Sequence, residues 1–152
     1  MTDTVATLRS MAFHLEYRDT NGKHSRVGSH ARMTEALTAA VRGPYRRPVL
    51  VLDSTEDPIQ HGEGSIAAVV LSDGEIIEHP APPSWWGSLG SKADVLLAHG
   101  PDDLGPDLVH AITAARGAVA MTQIDGHTSG FALGDDAAGW VRAEAARREV
   151  QG

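Results

Sequence analysis

Apolar and polar residues alternate near the start of the chain. Met11, Phe13, Leu15 and Tyr17 are interleaved with Ala12, His14, Glu16 and Arg18. This period of two turns one side of a strand toward a core. Asn21-Gly22 follows, and both positions of such a pair tolerate positive φ, so a hairpin is expected with a returning strand from His24 to Gly28. The polar His24, Ser25 and Arg26 suit a sheet edge. Met33, Leu37, Ala40 and Val41 then recur at helical spacing until Gly43-Pro44, which predicts a helix over 33–42. The unbroken run Val49-Leu50-Val51-Leu52 reads as a central strand covered on both faces, and residues 54–64 read as a polar loop.

Further along, Ser65–Ser72 and Glu75–His79 flank Asp73-Gly74, a second hairpin signal. Pro80, Pro82 and Pro83 precede Trp85-Trp86 in a stretch too rich in Pro and Gly for a regular element. Asp94–Ala98, with Val95, Leu96 and Leu97, is expected to be another buried strand. Pro106 opens a helix with Leu108, Val109 and Ile112 on one face. Ala118–Ile124 is expected to be the last strand, closed by Asp125-Gly126, and a final helix begins near Asp135. Two hairpins and few crossovers argue against a doubly wound parallel sheet. The expected class is α+β, a mixed α/β sandwich with one largely antiparallel or mixed sheet and about three helices packed on it. Residues 11–150 are expected to form a single globular domain after a flexible N-terminus over 1–10.

At 152 residues and 41% hydrophobic content, the chain suits one domain with an ordinary core. Met1–Met11 lacks the apolar stretch of a signal peptide, and no run reaches the length of a membrane span, so a cytoplasmic protein is expected. Absence of cysteine removes disulfides, thiolate metal sites and cysteine nucleophiles. The net charge of −7 is unevenly placed. Residues 1–50 hold eight Lys/Arg against four Asp/Glu, whereas 51–130 hold two against twelve. An acidic middle repels phosphate backbones and attracts basic surfaces. The basic N-terminal third lacks the interleaved aromatics on which bases stack, so nucleic acid is not the expected partner.

Common catalytic signatures are missing. There is no phosphate-binding loop, no dinucleotide fingerprint beyond Gly62-Glu63-Gly64, no nucleophile elbow and no His-Glu-x-x-His. Four features remain. Histidines stand near carboxylates at expected element ends (His61 with Glu63, His79, His99 and His127), an acid–base or metal-binding set if they converged. Trp85 and Trp86 either cap an aliphatic core or are displayed as partner anchors. Asp57, Glu63, Asp102 and Asp103 form an acidic set fit to steer a cationic partner. Arg42, Arg46 and Arg47 surround a turn and suit a phosphate.

These features favour a small acidic, non-enzymatic binding protein that sequesters or inhibits a protein partner with a basic surface, as an immunity protein does. Its anchors would be Trp85, Trp86, Asp57, Glu63, Asp102 and Asp103, with no cofactor or metal. The alternative is a small metal- or acid–base-dependent enzyme, or a ligand-binding protein, using His61, Glu63, His79, His99 and His127.

Overall fold

The computed structural model describes residues 13–53 and 65–152. The expected N-terminal tail and the 54–64 loop lie outside them, and so do His61, Glu63 and Asp57. The class is α+β. The described chain divides into two compact units, one running up to Pro80 and including Ala146–Gly152, the other Ala81–Ala145.

The first unit is built on a five-stranded antiparallel sheet. Its strands are β1 (Phe13–Arg18), β2 (His24–His30), β3 (Val49–Asp53), β4 (Ser65–Val70) and β5 (Ile76–Glu78), in the order β2-β1-β3-β4-β5. The Asn21-Gly22 turn forms because Gly22 sits at φ +79° and Asp19 Oδ1 accepts from the amides of Asn21 and Lys23, both at 2.9 Å. Asp73 repeats the device, accepting from the Glu75 amide at 2.9 Å beside Gly74 at φ +93°.

Register decides which side chains share a face. Leu15 pairs with Val51, and Val51 with Ala68. That face is covered by helix α1 (Met33–Arg42), whose Ala36 and Ala40 let it lie close over Leu15, Val49, Val51 and Val70. Glu16 pairs with Leu50 and Arg26 on the opposite face, so β1 presents apolar residues to one side and ionisable ones to the other. Val49–Leu52 are all fully buried, as a central strand requires.

The second unit contains a 3₁₀ turn (Trp86–Leu89), helices α2 (Lys92–His99) and α3 (Pro106–Ala114), and strands β6 (Ala120–Ile124) and β7 (His127–Ala132). It also holds helix α4 (Asp135–Gln151) as far as Ala145. Its core joins Trp85, Leu89, Leu96, Leu108, Ile112 and Val141. Two sequence expectations fail in this unit. Residues 94–98 are helical, not a strand. Their apolar run Val95-Leu96-Leu97-Ala98 is too short to tell helix from strand by itself, and only Leu96 is fully buried whereas Val95 is 48% exposed. One-sided burial between Gly90 and Gly100 suits a helix, and the Gly100 amide closes it on the Leu96 carbonyl at 2.8 Å. The chain therefore has four α-helices among the described residues.

The second failure concerns Asp125-Gly126, which opens a third hairpin instead of ending the last strand. Both residues have positive φ (+52° and +78°), and β7 returns antiparallel to β6. Among the described residues no helix is long and apolar enough to cross a membrane.

Candidate functional site

On the ionisable face of the first unit, Glu16 is buried. His24 Nε2 donates to one carboxylate oxygen and Arg26 Nη2 donates to the other at 2.8 Å, with Gln151 Nε2 a further donor at 3.4 Å. Burial by itself pushes this carboxyl's pKa up. The hydrogen bonds and positive charges of Arg26 and His24 outweigh that and hold it below the ordinary carboxylate value. Both oxygens accept hydrogen bonds, so Glu16 ties β1 to β2 and to the end of α4.

Beside this hub, still within the first unit, lies a cleft of about 320 Å³ lined by Arg18, Gly22, Arg46, Arg47, Glu149 and Val150. Arg18 is fixed by two carbonyls, its Nε donating to Val150 at 2.7 Å and its Nη1 to Gly22 at 3.1 Å. Arg46 and Arg47 reach the carbonyls of Asp19 and Val41 only at 3.4 Å, the outer limit of a hydrogen bond. Arg46 and Arg47 belong to the basic set read from the sequence. Arg42 does not line the cleft, because it stands in the last turn of α1, and Arg18 from β1 takes its place.

A different surface occupies the second unit. Every residue of β6 is exposed, Met121 by 61% and Ile124 by 66%. These two side chains stand three positions apart on a strand and so leave opposite faces of the β6–β7 ribbon. The ribbon is a two-stranded sheet, held at its base by the loop that carries the acidic pair. The Leu104 amide donates to Phe131 O at 2.7 Å and the Leu133 amide to Pro101 O at 3.0 Å. Asp102 and Asp103 are both exposed on that loop. Asp102 pairs with Arg142 at 3.1 Å, and an added Cβ on Gly130 of β7 would lie 3.3 Å from Asp103 Oδ1. Over Ala81–Ala145, three Lys/Arg face eight Asp/Glu.

The tryptophan pair is divided. Trp85 is buried in the core of the second unit, close enough to Gly117 that an added Cβ there would come within 2.9 Å of its ring. Trp86 is half-buried and meets Trp140 edge-on, with centroids 5.9 Å apart at 84°. All three tryptophans of the chain thus belong to one cluster.

The described histidines of the alternative set serve separate turns. His99 Nε2 donates to the Asp103 carbonyl at 2.8 Å and pins the acidic loop to the end of α2. His127 is exposed at the start of β7, and His79, at φ +49°, follows β5. Among the described residues no group of three or more His, Asp or Glu side chains is placed to hold a metal ion. Sequence reading missed Glu16, Arg18, Met121 and Ile124. Glu16 and Arg26 were findable, since they stand five residues either side of Asn21 and a hairpin turning there must pair them. No protein-family model, curated protein or solved structure matches this chain.

Proposed function

We propose that the protein is a non-enzymatic binding protein that covers a basic protein partner through its second unit, with sequestration or inhibition as the outcome. The observation that carries this reading is the β6–β7 ribbon, in which every β6 residue is exposed and Met121 and Ile124 stand out from opposite faces. A lone two-stranded ribbon is marginal in water, and buried apolar side chains at its faces are what a partner's cleft supplies. The exposed Asp103 and Asp102 at its base give the approach its charge preference, raising encounter rates with a cationic surface. Trp85 serves the core, so the apolar anchors in this reading are Met121 and Ile124, with Asp102 and Asp103 for steering.

The test compares wild type with Met121→Ser/Ile124→Ser. Proteins cross-linked to each are identified, and the affinity of the recovered partner is measured at two salt concentrations. The reading expects a basic partner bound by wild type, weakened about tenfold or more by the double variant and weakened further by salt. Equal affinity for both proteins overturns it.

A further inference from the structure

We propose that the cleft between the β1–β2 turn, the Arg46-Arg47 segment and the end of α4 is a binding site for a phosphate dianion, free or as the head of a small phosphate monoester. Three guanidinium groups line it, and among the described residues none of them is paired with a carboxylate. Arg18 is held by the carbonyls of Val150 and Gly22, which fixes its plane while leaving its second terminal nitrogen without a protein partner. Arg46 and Arg47 are tethered only by 3.4 Å contacts, so an anion can draw them in at little cost. Glu149 is the single carboxylate of the lining. Three positive charges against one leave a balance that matches the roughly two negative charges of a phosphate near neutral pH. Guanidinium forks match phosphate oxygens in geometry as well as charge.

Size and lining add to the charge argument. At about 320 Å³ the cleft stands at the small end of ligand sites, which run from ~300 Å³ upward. Pro48 and Val150 offer apolar wall beside the arginines, suited to a short organic group on the phosphate. This site is independent of the ribbon in the second unit and depends on none of its residues.

Isothermal calorimetry on the full chain with inorganic phosphate, glycerol 3-phosphate, glycerol and sodium chloride at matched ionic strength tests the proposal. Saturable heat is expected with the two phosphates and none with glycerol or chloride. Tighter binding of glycerol 3-phosphate identifies a monoester site, and equal binding identifies a site for free phosphate. Arg46→Gln/Arg47→Gln should weaken either about tenfold or more, because two charge-assisted hydrogen-bonding groups are lost. Glu149→Gln, which removes the one opposing charge, should tighten phosphate about two- to fivefold. That second variant decides the matter even if the arginine pair proves necessary for folding. Absence of phosphate-specific heat in wild type, unchanged affinity in a folded double-arginine variant, or weaker phosphate binding in Glu149→Gln overturns the proposal.

Discussion

β3 and β6 are each five residues long, yet Val49–Leu52 of β3 are fully buried while every residue of β6 is exposed. The difference lies in what closes each strand. β3 has β1 and β4 on its two edges, and α1 covers the face that carries Val49 and Val51. Among the described residues β6 has one neighbour, β7, and it sets Met121 and Ile124 among small or polar residues. Burying one Val or Leu side chain stabilises by about 1.5–3 kcal/mol. β3 therefore supplies stability and has no surface left to offer, whereas β6 supplies little stability and keeps its surface open. Two strands of equal length thus differ in how far the rest of the chain encloses them.

Substitutions in the two units measure the difference. Trp85→Ala should have the largest effect, about 3–5 kcal/mol in denaturant unfolding, because it empties the centre of the second unit's core. Leu52→Ala in β3 should cost about 2–5 kcal/mol by the same measurement. If either costs under about 0.5 kcal/mol, the packing described for that unit is wrong.

Glu16→Gln should cost about 1–3 kcal/mol, an amount tempered by the partial exposure of Arg26 and His24. It should also change the pH dependence. The folded Glu16 pKa lies below the ordinary value of 4.5, so its stabilisation is present above that value and is lost as pH falls through the folded pKa. Urea midpoints followed down to about pH 3 should therefore fall less steeply in Glu16→Gln than in wild type. Parallel curves would remove Glu16 from the account of acid sensitivity. Smallest of all, Met121→Ser/Ile124→Ser should change stability by no more than about 0.5 kcal/mol, since both side chains are already in water. A larger loss would mean that the ribbon's apolar residues hold the unit together.

Local chemistry explains which parts of this fold are readable from sequence. The Asn21-Gly22 and Asp73-Gly74 hairpins are set by residues next to each other, and β3 announces itself by an unbroken apolar run. Val95-Leu96-Leu97 is too short to separate helix from strand, and the helix shows itself only in the packing of Leu96, with Ala93 and Leu97, on one side. β7 is hidden by the polar and exposed His127-Thr128-Ser129, which carries no apolar alternation. The two surfaces differ in the same way. Asp102 and Asp103 are visible as a pair, but their attachment to the ribbon needs hydrogen bonds from Leu104 to Phe131 and from Leu133 to Pro101 that no spacing rule supplies. The arginine cleft joins Arg18 and Arg46 to Glu149, across more than a hundred residues of chain.

Amide hydrogen exchange of the free protein reads the closed strand and the open one in a single experiment. The account predicts that Val49–Leu52 exchange only on global unfolding, while the outward-facing amides of Ala120–Ile124 exchange as fast as those of an exposed loop. Protection of β6 comparable to that of β3 would contradict it, since the ribbon would then be covered already and not free to meet a partner.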